Sequence, residues 1–290
     1  MALAIATNNA ALNAAASASS VNRDMETSMA RLSSGKRINS ASDDAAGVAI
    51  SSRLSAEIRG TDQAIRNSLD GQALIDTAEG AHKEIENILQ RMREVGIQAA
   101  NDTNNDQDRT NLQAEMDAML TEIDRIAGTT TWAGASLMAD DTTATVFSFQ
   151  VGAATGTQNQ ISVSISGMNG DALGLSTADV SDLKVKDTVA GDGSGDANAL
   201  AAVDDIDDAI KLVNDQRSAL GAVSNRLNHT VNNLTNISSN LSAAKGGIED
   251  ADFALETTNL AKNQILQQAS TAMLAQANAS KQNVLSLLQG

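Results

Sequence analysis

The sequence predicts a mainly α fold: a long antiparallel helical coiled-coil bundle with a small β-hairpin insert, its N- and C-termini paired at one end. Three observations lead there. Apolar residues recur every seven positions over two long stretches, the spacing that buries one stripe of a helix against a partner. The segments are ordered as a palindrome: charge-poor helix, break, heptad helix, β segment, heptad helix, break, charge-poor helix. Two mirrored halves of this kind can pair as antiparallel helices. Finally, the 290 residues include no Cys, Pro or Tyr, one Trp and three Phe, so the core must be built from Ala, Leu, Ile, Val and Met. Such side chains favour long helices packed side by side, each offering little apolar area.

The first helix places Ala11, Ala14, Ala18, Val21, Met25, Met29 and Leu32 at steps of three and four. Gly35 follows where a helix-ending glycine is expected. Ser40 or Ser42 can cap the next helix, which puts Asp43 and Asp44 in its first turn, where carboxylates suit the positive end of the helix. That helix runs from about Asp43 to Asn101, with Ala78, Ile85, Met92, Ala99 and Leu74, Ala81, Ile88, Val95 as two heptad series. The polar turn 101–106 leads to a shorter helix from about Asp108 to Ile126. Strands are expected at 146–151 and 161–165, with Leu183 and Val185 in a third, before a glycine-rich link at 191–195. Helix then returns with Ile206, Val213, Leu220, Leu227, Leu234 and Leu241 seven apart. Gly246 and Gly247 are expected to break it, and a last helix spans about Glu249 to Leu288.

Charge and motifs exclude several function classes. A net charge of −16 repels nucleic acid and anionic membrane surfaces, so neither is an expected partner. Ser33-Ser34-Gly35-Lys36-Arg37 looks like part of a phosphate loop, but Ala30 stands where that motif needs Gly and Arg37 where it needs Ser or Thr. His82 lacks a second His four residues on, as a zinc helix requires, and Asp204 to Asp208 lack the alternation and central Gly of a calcium loop. No catalytic, metal or cofactor-binding residue is expected, and the protein reads as no enzyme. The N-terminal stretch carries no charged side chain before Arg23, so an export signal, if used, is not expected to be a cleaved secretory peptide. The charge-poor end helices, poor in large side chains, should be marginal alone and point to self-assembly through the termini.

At both ends the motifs resemble those of bacterial flagellin, the subunit of the flagellar filament. The N-terminal match runs from Leu32-Ser33-Ser34-Gly35-Lys36-Arg37-Ile38-Asn39-Ser40 through Asp43-Asp44-Ala45-Ala46-Gly47. The C-terminal match begins at Ile248-Glu249-Asp250-Ala251-Asp252-Phe253-Ala254 and continues through Gln264 to Gln268, Met273 to Asn278 and Val284 to Leu288. The chain resembles a minimal form without the large variable outer domain. An alternative within the resemblance is a hook–filament junction (hook-associated) protein, which shares the terminal helices.

The resemblance implies a structural subunit of an extracellular helical filament for swimming motility. Residues 1–42 with 248–290 would form the inner tube and its connecting spoke, 43–128 with 196–247 the outer tube, and 129–195 a solvent-facing insert. Assembly through the inner helices would use Ala14, Val21, Met25, Ile265, Ala269, Met273, Val284 and Leu288. The joint between layers would gather Gly35, Lys36, Arg37, Asp43 and Asp44 with Glu249, Asp250 and Asp252, and Lys36 or Arg37 is expected to meet the returning acids. Implied partners are further copies of the chain, a flagellar cap protein, hook-associated proteins and an export chaperone at the C-terminal region, with export through the flagellar type III channel. Leu89, Gln90, Arg91 and Glu94, with Glu115, resemble the patch recognised by Toll-like receptor 5; the same surface would serve the bacterium in subunit packing.

Overall fold

The computed structural model describes residues 7–138, 144–175, 185 and 195–289, with side chains at 7–138, 144–175, 185 and 197–280. Among these are α1 (Asn9–Ser34), α2 (Ala45–Ala99), α3 (Asp106–Thr129), α4 (Gly195–Glu249) and α5 (Phe253–Gln289). The strands are β1 (Thr131–Trp132), β2 (Ala135–Ser136), β3 (Thr145–Gln150) and β4 (Gln160–Ile165). The mainly helical, antiparallel character expected from the sequence is what the structure holds. The chain forms two compact units, Met1–Ile58 with Ser239–Gly290 and Arg59–Ser238, and α2 and α4 contribute to both.

In the first unit α1 and α5 pair antiparallel. Asn8 donates to the Ala277 carbonyl at 3.1 Å, and Gln267 to Asn22 at 2.8 Å; Arg31 lies 3.8 Å from Glu256. Both helices turn a strict heptad stripe inward: Ala11, Ala14, Ala18, Val21, Met25, Ser28 and Leu32 on α1, Glu256, Leu260, Asn263, Gln267, Ser270, Leu274 and Ala277 on α5. One step differs from expectation. Ser28 is the buried position and Met29 is 48% exposed.

The second unit holds the large apolar core. Here α2 and α4 run antiparallel, tied by Ser238 to Asp62 at 2.9 Å, by Arg217 to both Glu79 and Glu86, and by Arg93 to Asp207 at 2.6 Å. The expected series at Ala78, Ile85, Met92 and Ala99 is fully buried, and so is Ile206, Val213, Leu220 and Leu227. The third helix starts on a reciprocal cap between Asn105 and Asp108, which satisfies the first free amides. It carries Met116, Leu120 and Ile123 into the same core.

The β3–β4 hairpin pairs Thr145 with Ile165 through Gln150 with Gln160, and strict alternation along β4 sends Ile161, Val163 and Ile165 inward. Phe149 lies over Gly71, where a Cβ would stand 3.2 Å from the ring. The smaller hairpin β1–β2 turns through Ala133 and Gly134, both at positive φ.

Four expectations need correction. The second helix starts at Ala45, not Asp43, because Asp44 is its cap: Asp44 Oδ1 accepts the Gly47 amide at 2.9 Å. Ser40 and Ser42 instead bond each other at 2.7 Å. The fourth helix runs through Gly246 and Gly247 to Glu249, since a helical glycine costs only about 1 kcal/mol and neighbouring structure outweighs it. Val185 is buried but in no strand, its amide donating to Gln113 at 2.9 Å; Leu183 and residues 191–194 of the expected link lie outside the described residues.

Candidate assembly interface

The terminal pair divides its side chains unusually. The most buried positions of its internal seam are polar: Ser28, Glu256 and Asn263. Val21, Met25, Leu32, Leu260 and Leu274 are half-buried in it, but many larger apolar side chains face away: Leu12, Met29, Phe253, Leu255, Ile265, Leu266 and Met273 are all exposed. Small residues allow close approach, and the amide pairs fix register, but little apolar area is buried between the two helices. Of the residues expected to drive assembly, Ala14, Val21 and Met25 are half-buried in the seam within the chain. Ile265 and Met273, at 67% and 66% exposure, and Ala269 form an outward stripe at steps of four. Val284 and Leu288 fall in α5, and their side chains lie outside the described residues.

At the other end of this pair a joint closes the first unit. Gly35 ends α1 at φ 70°, the left-handed conformation that glycine adopts without strain. The chain then forms one rung of antiparallel β structure, Lys36 opposite Asp250. The Arg37 amide donates to the Glu249 carbonyl at 2.7 Å, and the Ala251 amide to the Gly35 carbonyl at 3.0 Å. Lys36 Nζ stands 2.6 Å from Glu249 Oε1, while Ser51 Oγ donates to Oε2 at 3.0 Å. Lys245 is 3.6 Å from the same carboxylate. The hydrogen bond from Lys36, aided by Ser51 and opposed by burial, holds the Glu249 carboxyl below its ordinary pKa.

The expected ion pair is therefore Lys36–Glu249. The Arg37 guanidinium instead donates to the Ile248 carbonyl at 2.6 Å. Asp252 caps α5, accepting the Ala254 and Leu255 amides at 2.9 and 3.2 Å, and Asp250 joins through its backbone. Asp43 accepts the Asn39 and Ser40 amides at 3.0 and 2.9 Å, and these bonds lower its pKa. Ile38 is buried beneath, and Gly47 leaves it room: a Cβ there would come within 2.6 Å of both Ile38 and Asp44.

The Lys36–Glu249 pair supports a direct test. Exchanging the charges, Lys36→Glu with Glu249→Lys, should recover part of the stability lost in either single variant. Because Lys36 is half-exposed, the coupling in such a cycle is expected at about 0.5–1 kcal/mol. The Glu249 carboxylate is stabilised in the folded chain, so its contribution is present above its ordinary pKa and lost as pH falls through its lowered folded value. Urea midpoints at neutral and acid pH check both points; a zero coupling energy removes the pair from the joint.

In the second unit, Arg91 bridges α2 to α3. It donates to Glu94 and Glu115, each at 2.9 Å. Gln90 is exposed beside them. Leu89, expected in this patch from the sequence, is not on the surface; it is 0% exposed and supports the patch from the core.

Residues 5–143 match the family model for the bacterial flagellin N-terminal helical region, and residues 203–288 the one for its C-terminal helical region. A flagellin of Halalkalibacterium halodurans is 46% identical over 264 residues, covering 91% of this chain and 92% of its own. A flagellin of Bacillus subtilis is 46% identical over 304 aligned residues, covering 97% and 98%. The chain belongs to the bacterial flagellin family.

As a flagellin it is a structural subunit that polymerises in many copies into the extracellular flagellar filament, and not an enzyme. A solved protein described as hook-associated, from Vibrio parahaemolyticus, aligns with TM-score 0.57 over 72% of this flagellin and 100% of that chain. At 16% identity this is a likeness of fold alone, and the hook–filament junction reading gains nothing further from it. No helix among the described residues of this flagellin is long and apolar enough to cross a membrane. The polar seam of α5 escaped the sequence reading because Asn263, Gln267 and Ser270 carry no hydropathy signal.

Proposed function

We propose that the subunit polymerises through the outward apolar stripe of its terminal helix pair, against the same pair in neighbouring copies. The carrying observation is the division of side chains just described. A seam that mixes Ala, Ser, Asn and Gln with Val21, Met25, Leu32, Leu260 and Leu274 sets register within the chain, and Leu12, Ile265, Leu266 and Met273 are left for others. In this reading residues 1–42 with 248–290 make the inner tube and spoke, 43–128 with 196–247 the outer tube, and 129–195 the solvent-facing insert. The joint at Lys36 and Glu249 sits where inner tube passes to outer. The flagellar cap, hook-associated proteins and an export chaperone at the C-terminal region are the further partners, with type III export.

Ile265→Glu and Met273→Glu test the stripe. Each places an unpaired charge on a surface that assembly would bury, which costs several kcal/mol. The critical concentration for polymerisation should rise at least tenfold in either variant, read by sedimentation, while the monomer keeps its helical content. An unchanged critical concentration overturns the reading.

The exposed Arg91, Glu94 and Glu115 triad, with Gln90, suits a polar partner surface, and we assign it to subunit packing and to Toll-like receptor 5. Arg91→Ala should weaken receptor signalling by dissolved monomer more than tenfold without altering its melting temperature appreciably. Equal potency removes the receptor from the proposal.

A further inference from the structure

His82 takes no part in the assembly surfaces. It stands on α2 in the second unit, 0% exposed, with Nδ1 and Nε2 both buried and neither hydrogen-bonded. Buried imidazoles ordinarily place at least one ring nitrogen on a partner. The charges acting on the ring are Arg217 from α4 and Glu79 from its own helix. Arg217 is in turn clasped by Glu79 and Glu86, one on each side of His82 along α2. Burial, then the Arg217 cation, push the imidazole pKa down to about 4, against the opposing pull of Glu79.

Two glycines mark the same stretch. Gly80 lies two residues before His82 and Gly221 four residues after Arg217, and a Cβ at either would meet nothing within 4 Å. No packing forbids a side chain at these positions, yet each helix carries a residue that weakens it by about 1 kcal/mol relative to alanine. An unpartnered ring, a clasped cation and two helix-weakening residues thus share one segment of the α2–α4 pair.

We propose that His82 and the Arg217 clasp form an acid-sensitive joint in the second unit, closed while the ring is neutral and opened by its protonation. The proton comes from solvent and lands on a ring nitrogen that has no acceptor to share it and a guanidinium beside it. Water must reach the ring for the imidazolium to persist, so proton uptake and separation of α2 from α4 are one event. In the open state the ring titrates near its ordinary value of 6.5; in the closed state it resists to about 4. A depressed folded pKa gives closure that is complete above 6.5, weakens tenfold per pH unit as pH falls, and bottoms out near 4. The whole shift amounts to about 300-fold in the opening equilibrium. Glu79 and Glu86 also hold Arg217 directly, so the test must separate the ring from these carboxylates.

The experiment is amide hydrogen exchange on the full-length monomer from pH 7 to pH 4, corrected for the intrinsic pH dependence, in wild type, His82→Leu and His82→Gln. Opening at α2 and α4 amides around His82 and Arg217 should rise at least tenfold between pH 6.5 and pH 5 in wild type and less than threefold in both variants. Equal rises in all three overturn the proposal. The ring itself gives an independent readout, because His229 is the only other histidine and can be assigned with His229→Gln. A His82 ring signal that stays neutral at pH 5 supports the joint, and one that titrates near 6.5 in the closed chain overturns it, whether or not the His82 variants fold.

Discussion

A chain trimmed to residues 45–250 is expected to remain helical and monomeric while forming no filament at concentrations where the full chain polymerises. The trimmed chain keeps the whole second unit, whose core from Leu74 to Leu227 is complete without either terminal helix. It loses α1 and α5, and with them every exposed large apolar residue of the terminal pair. Each such side chain contributes roughly 1.5–3 kcal/mol when fully buried. Removing several from each subunit is a loss that no concentration reachable in solution offsets. Circular dichroism should show retained helix, and sedimentation and electron microscopy should show no polymer. Filaments of normal length from the trimmed chain would place the assembly surface elsewhere.

Leu227→Ala should destabilise the second unit by about 2–5 kcal/mol. The side chain is 0% exposed and continues the series Ile206, Val213, Leu220 along α4. Its level on α2 is bracketed by Asp62 and Glu79, through their bonds to Ser238 and Arg217. Polar ties on both sides fix the spacing of the two helices, which limits their collapse into the space a lost isobutyl group leaves. Leu227→Met keeps the volume and should cost less than about 1.5 kcal/mol. Leu234, at 8% exposure, belongs at the lower end of the range for Leu→Ala. Urea unfolding of the three variants checks the order, and a shift in Leu227→Ala no larger than in Leu227→Met would mean the site relaxes freely.

What the sequence made legible follows from how each element signals itself. Ile206, Val213, Leu220 and Leu227 announce a buried stripe because apolar residues at one spacing leave a single packing solution. The inner face of α5 obeys the same spacing, but Asn263, Gln267 and Ser270 occupy it, and polar residues at heptad positions look like surface. Hydropathy therefore drew attention to Ile265 and Met273, which face outward. Gly246 and Gly247 suggested a helix end that lies at Glu249, because local propensity yields to the β rung and ion pair there. The β1–β2 hairpin gave no warning: its strands are two residues each and its turn uses Ala133 at φ 50° in place of Asn or Gly. Lys36 meeting Glu249 could be anticipated only from the motifs at both ends, since 213 positions separate them. His82 was visible as a residue but not as a fully buried one, for an isolated histidine on a helix reads as lying at a packing edge or in solvent.

Trp132, half-buried in β1 against the core, has an optical consequence. With no Tyr and no second Trp in the chain, intrinsic fluorescence excited at the indole band arises from that one ring in the second unit. The terminal helix pair is dark by this measure, yet it contributes fully to the helical circular dichroism signal. A denaturant titration followed both ways on one sample therefore separates the two units without a label. Coincident curves would show them melting as one, and a dichroism loss preceding the fluorescence change would show the terminal pair melting first.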